Sequence, residues 1–209
     1  MNASRILTIA GFAMGLATVL VQYGIHINKQ MDLGRSLAGA LVHYWSYFTI
    51  WTNTFLTLVF ASALFTSVSG LSLFRRPITR ATALASILVV MIVYHLLLSA
   101  THNPVGVEAI TNIVMHTILP LLYPIWWFLT GRDRTLWWPN LPWLLVYPAV
   151  YLVWTYSRAF IIREYPYDFL NIETNGIAGV SPIIIAIVVL ILIFGAIMVL
   201  IDKRKVPNP

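Results

Sequence analysis

Apolar residues gather into six runs, at 6–25, 41–65, 81–100, 107–129, 141–162 and 181–201. Each is close to the roughly 20 helical residues that cross a hydrocarbon core of about 30 Å. Short polar stretches separate the runs, and too little chain remains for a soluble domain. The pattern therefore predicts an all-α integral membrane protein, a single domain over 1–209 built as one bundle of six transmembrane helices. The first run lacks a small-residue cleavage site after a short apolar core, so it is read as a retained helix and not a signal peptide. Gly11 and Gly15 on that run have the GxxxG spacing that permits close helix approach, and internal packing is the expected use. The last run has a helix start in Ser181 as cap with Pro182 in the first turn. Before it, Tyr165-Pro166-Tyr167 is expected to be extended or turned.

Polar residues inside the runs fall in stripes. His43, Ser46, Thr49, Asn53 and Thr57 lie within an arc of about 120° on one helix at 100° per residue. His95, Ser99 and His102 follow i, i+4, i+7 on the next. Glu108, Asn112 and His116 follow i, i+4, i+8 on the fourth. Tyr147, Tyr151, Trp154 and Arg158 share a face of the fifth, while the sixth has no such stripe and reads as lipid-facing or scaffold. Four striped helices predict an internal polar cavity. At 1.5 Å per residue, Thr49 lies roughly 12 Å and His116 roughly 14 Å below the outer ends of their helices. His95 and Arg158 are shallower, so the cavity is expected in the outer-leaflet half.

Composition supports the class. The chain is 59% hydrophobic and 10% charged, against roughly a quarter charged in soluble domains. Lys and Arg divide unevenly. Arg5, Arg75, Arg76, Arg80, Arg132, Arg134 and the tail Lys203–Arg204–Lys205 lie on one side; Lys29, Arg35 and Arg163 lie on the other. This asymmetry places both termini in the cytoplasm. It also accounts for the net charge of +6, and no basic helix or aromatic-basic motif points to nucleic acid. With no cysteine, disulfides, thiolate nucleophiles and cysteine metal sites are excluded.

An ionisable group at membrane depth is costly and by default functional, which singles out His116. Its depth-matched partner is Thr49. The plain alternatives stand beside this reading. Thr52 and Thr54 are expected to bond their own i−4 carbonyls or to pack between helices. Arg158 can pair with Glu164, Asp168 or Glu108, and the tryptophans at 126, 127, 137, 138 and 143 form an interfacial belt. Pro120 is expected to kink the fourth helix one turn below His116.

The segments YFTIWTN (Tyr47–Asn53), MHTILP (Met115–Pro120) and YPAVYLVWTYSRAFIIREYPYDFL (Tyr147–Leu170) resemble small six-helix bacterial membrane proteins related to the androgen-induced and androgen-dependent TFPI-regulating proteins of animals. The resemblance runs from about residue 40 to the end of the sixth helix. It implies an intramembrane threonine hydrolase of fatty-acid esters of hydroxy fatty acids, in a bacterial cytoplasmic membrane. Carried over by motif, the catalytic threonine is Thr49 and the histidine His116. No resident cofactor or metal is implied, and the partners are a lipid or fatty-acid ester and the bilayer itself.

The chemistry is consistent with those residue types. Neutral imidazole can take the proton of a threonine hydroxyl as it attacks an ester carbonyl. Asn53, Asn112, His95 and Ser46 are candidate oxyanion donors or cavity polar groups. Arg158 and Tyr151 are candidates for holding a carboxylate head group. Glu108 lies two turns from His116, so no third residue is expected to orient the ring. Two rival readings follow from the same residues. One is a non-catalytic binder or carrier of an acidic amphiphile. The other is a metal or haem protein ligated by His43, His95, His102 and His116, although His95 and His102, at i and i+7, are poorly spaced for one site.

Overall fold

The computed structural model describes residues 3–202, and the basic tail Lys203–Arg204–Lys205 lies outside the described residues. All regular elements among the described residues are helical. In chain order we label them α1 (Ala3–Asp32), α2 (Leu37–Tyr44), α3 (Phe48–Leu64), α4 (Pro77–Leu98), α5 (Val107–Gly131), α6 (Trp138–Ile162) and α7 (Ile172–Asp202). Short 3₁₀ turns at Ser69–Arg75 and Asp168–Leu170 complete the path. Five of these helices are long and apolar enough to cross a membrane, or six if α2 and α3 are taken as one bent span. That is the architecture of a multi-pass membrane protein. The described residues fall into two compact units, divided between Arg132 and Asp133.

The second apolar run departs most from expectation. It is not one helix over 41–65: α2 and α3 meet at 75° across a break at residues 45–47. Tyr47 is extended there (φ −92°, ψ 126°). Helix ends leave carbonyls unpaired, and side chains take up two of those released by the break. The Ser46 hydroxyl donates to the His43 carbonyl at 2.5 Å, and Trp51 Nε1 donates to the Trp45 carbonyl at 2.7 Å. A hydrogen bond from the Tyr44 hydroxyl to the Val19 carbonyl at 2.9 Å ties α2 to α1. The predicted five-residue stripe is therefore cut, because His43 lies on α2 and Ser46 in the break, outside the helical frame of Thr49, Asn53 and Thr57. Thr49 sits in the first turn of α3, so a depth reckoned along a straight helix does not apply to it.

The first unit is built on close approach of α1 to α3. Gly11 faces the Phe60 ring and Gly15 faces Thr57, with no room for a Cβ at either position. Trp126 of α5 is fully buried beside them. Its Nε1 donates to Thr8 Oγ1 of α1 at 2.8 Å, and its ring meets Phe60 at 5.0 Å and Tyr123 at 5.2 Å. Trp127 is buried too, so these two residues leave the interfacial belt assigned from sequence; Trp137, Trp138 and Trp143 are exposed. Helical spacing turns Trp126 inward, a direction that a tally of tryptophans near a span end does not carry.

In the second unit, α7 begins at Ile172 instead of Ser181. Ser181 is not a cap, since its hydroxyl donates to the Ile177 carbonyl one turn back, at 2.7 Å. The interruption lies at Gly176 (φ 64°, ψ 171°), a backbone conformation that glycine adopts without steric cost. Ile185, Val189, Ile193 and Ile197 form an exposed apolar face at helical spacing.

Candidate functional site

Two helices change pitch at the same place. In α4 a π turn runs over Tyr94–Leu98, and in α5 another runs over Val114–Ile118. Pro120 supplies a reason for the second. It brings no N–H to the ladder, and its ring crowds the carbonyl four residues back, that of His116. The wider turn relieves this, with Leu119 N donating to the Val114 carbonyl five residues back. Such turns often mark functional sites, and here they carry Tyr94 and His116.

His116 is 7% exposed. Its Nδ1 lies 3.0 Å from the Asn112 carbonyl. A carbonyl only accepts, so Nδ1 carries the proton and the neutral ring presents a lone pair at Nε2. Thr49 Oγ1 lies 3.3 Å from that Nε2, within hydrogen-bond distance of its lone pair. The threonine, half-buried at the start of α3, thus meets a histidine nine residues into α5. By helical rise, the N-terminal end of α3 is level with a point about 14 Å along α5.

Asn53 holds the two elements in register. Its Nδ2 donates to the Thr49 carbonyl at 2.9 Å and to the Met115 carbonyl at 3.5 Å. Both amide hydrogens thereby point at backbone, so Asn53 is a clip between α3 and α5 and not the oxyanion donor suggested by its spacing. Its buried Oδ1 has no hydrogen-bond partner. Asn112 Nδ2 donates to the Tyr94 hydroxyl at 2.6 Å, and the Tyr94 ring stacks on His116 at 3.9 Å and 20°.

The other candidate residues are placed elsewhere. His95 is exposed and its Nε2 meets Thr117 Oγ1 at 3.2 Å. Ser46 lies in the α2–α3 break, bonded to His43. Arg158 and Tyr151, both buried on α6, belong to the second unit. There the Arg158 guanidinium donates to a Glu164 carboxylate oxygen at 2.7 Å and to the Glu164 carbonyl at 3.1 Å. That is the structural pairing offered as the alternative to a head-group role. Thr52 and Thr54 do not bond their own turns, since neither buried hydroxyl has a partner. Thr57 does, donating to the Asn53 carbonyl at 2.8 Å.

The four histidines of the metal or haem reading do not converge. His43 Nδ1 pairs with His26 Nε2 at 2.8 Å, whereas His116 and His95 engage Thr49 and Thr117. Among the described residues, no group of three or more His, Cys, Asp or Glu side chains is placed to hold a metal ion. Sequence reasoning missed Tyr94, the Asn112 carbonyl and the Met115 carbonyl. Pro120 alone signalled a local change of pitch, since backbone groups have no residue signature. No known protein family, curated protein or solved structure matches the chain.

Proposed function

We propose that this protein is an intramembrane lipid-ester hydrolase in which Thr49 is the nucleophile and His116 the base. The observation that carries the reading is the 3.3 Å contact between Thr49 Oγ1 and His116 Nε2, with Nδ1 committed to a carbonyl so that Nε2 is the accepting nitrogen. A base within hydrogen-bond reach of the proton it takes is the first requirement of such chemistry.

The reaction proceeds in two halves. Thr49 Oγ1 attacks the ester carbonyl carbon as its proton passes to His116 Nε2. The tetrahedral intermediate collapses, the alkoxide leaves with the proton held on Nε2, and the acyl group stays on Thr49. A water molecule, deprotonated by the same Nε2, then attacks the acyl-threonine; the acid departs and the threonine hydroxyl is restored. Developing negative charge forms beside the first turn of α3, the end at which the helix dipole favours an anion. This property follows from the break before Phe48, and it takes the place of the side-chain donors suggested by spacing.

The resemblance of the YFTIW and MHT-x-x-P segments to small six-helix bacterial membrane proteins suggests the same pair. The reading includes both termini in the cytoplasm, from the Lys and Arg asymmetry, and a bacterial cytoplasmic membrane. It also includes a polar cavity around Thr49 opening toward the outer leaflet, through which an esterified (hydroxy) fatty acid reaches the threonine. A fluorophosphonate probe tests it. Wild-type protein in lipid nanodiscs is expected to be labelled at Thr49, and both Thr49→Ala and His116→Ala to lose the label. Labelling indifferent to Thr49 would sink the mechanism and favour a binder of an acidic amphiphile.

A further inference from the structure

The His116 ring is held at its two nitrogens, by the Asn112 carbonyl at Nδ1 and by Thr49 Oγ1 at Nε2, and these two bonds leave it free to turn about the line that joins them. Two further contacts remove the freedom. The Tyr94 ring stacks on it at 3.9 Å and 20°, and Asn112 ties the stack together. The Asn112 amide donates to the Tyr94 hydroxyl at 2.6 Å, while its carbonyl accepts from His116 Nδ1 at 3.0 Å. Three residues thus form a closed triangle, with Tyr94 on the π turn of α4 and the other two on α5. His95 and His102 lie nearly perpendicular to the Tyr94 ring, with centroids at 5.2 Å and 6.4 Å.

We propose that Tyr94 is the positioning residue of His116, fixing the ring plane and its Nδ1–H tautomer so that the Nε2 lone pair faces Thr49. Where the hydrolase reading holds, Tyr94 has a second effect that rests on it. The imidazolium formed as Thr49 loses its proton lies against an aromatic face, which attracts a cation. In serine triads a buried carboxylate both orients the imidazole and stabilises its charged form. Here the Asn112 carbonyl and the Tyr94 ring share the first task, and the Tyr94 ring takes on the second.

The test separates the two statements. Full-length protein labelled with ¹⁵N-histidine in lipid nanodiscs reports the tautomer of His116, whose signals are assigned by their loss in His116→Ala. The expected wild-type spectrum has a protonated Nδ1 and an unprotonated Nε2. Tyr94→Leu is expected to show a mixture of both tautomers and a fluorophosphonate labelling rate reduced about tenfold. Tyr94→Phe, which keeps the ring but frees it from the Asn112 amide, is expected to show a minor second tautomer and a rate between those of Tyr94→Leu and wild type. An unchanged tautomer in Tyr94→Leu overturns the proposal. If that variant does not fold, Asn112→Ala decides instead. It keeps the carbonyl and removes the amide that pins Tyr94, so a second tautomer is expected and its absence overturns the positioning role. A wild-type protein that never reacts with the probe overturns the hydrolase reading alone, and the tautomer spectra still decide the role of Tyr94.

Discussion

Asn53 spends both amide hydrogens on carbonyls of two different helices, so its loss is felt at the Thr49–His116 contact before it is felt anywhere else. Asn53→Leu leaves both carbonyls short of a donor in a buried place, a cost of about 1–3 kcal/mol. The expected outcome is a lowered midpoint of thermal unfolding in detergent, together with slower probe labelling than stability alone explains. A variant that unfolds earlier yet labels at the wild-type rate would show that the clip has no part in alignment. Thr49 and His116 were legible in the sequence because a threonine and a histidine in apolar runs are chemically conspicuous. The carbonyl that receives His116 Nδ1 was not legible, because it belongs to the Asn112 main chain, and any residue at that position carries a carbonyl. The same limit hid the use of Asn53: its type and spacing suggest a donor to substrate, and only the position of the Met115 carbonyl redirects it.

Helix α5 depends on Pro120 for its shape near the site. Restoring an N–H there removes the crowding of the His116 carbonyl and favours regular α pitch. Pro120→Ala is therefore expected to keep or raise thermal stability while lowering probe labelling, because regular pitch rotates His116 relative to Thr49. Equal labelling in the variant would show that the π turn is incidental. The contact of α1 with α3 makes a separate prediction. Gly15 abuts Thr57, while Gly24 on the same helix has open space around it. Gly15→Leu is expected to destabilise the protein by about 1–3 kcal/mol through overpacking, and Gly24→Ala to be tolerated; thermal unfolding in detergent distinguishes them. Hydropathy located the long helices, although α1 ends at Asp32, seven residues past its apolar run, and α7 begins at Ile172, nine residues before its own. It missed the α2–α3 break, because residues 45–47 are as apolar as their neighbours and contain neither glycine nor proline.

For the molecule as a whole, the lack of cysteine makes its topology directly measurable. Single substitutions Ser69→Cys and Thr135→Cys are expected to react with a membrane-impermeant maleimide only from the cytoplasmic face, and Gly34→Cys and Thr101→Cys only from the opposite face. Ser69 and Gly34 reacting from the same side would remove the inferred orientation and with it the outward-facing cavity. Composition made the membrane class legible at once, since it depends on sums over many residues. Which tryptophans were core was not legible, since that depends on the rotation of single helices. Trp126 and Thr8, the pair that joins α5 to α1, are separated by 118 positions in the chain. At a synthesis rate of about 5–20 residues per second, roughly ten seconds pass between the appearance of one partner and the other. During that interval α1 holds Thr8, buried in the finished protein, without the Trp126 indole that bonds it. Biogenesis of this protein therefore includes a waiting period in which its first helix is already made and its core cannot yet close.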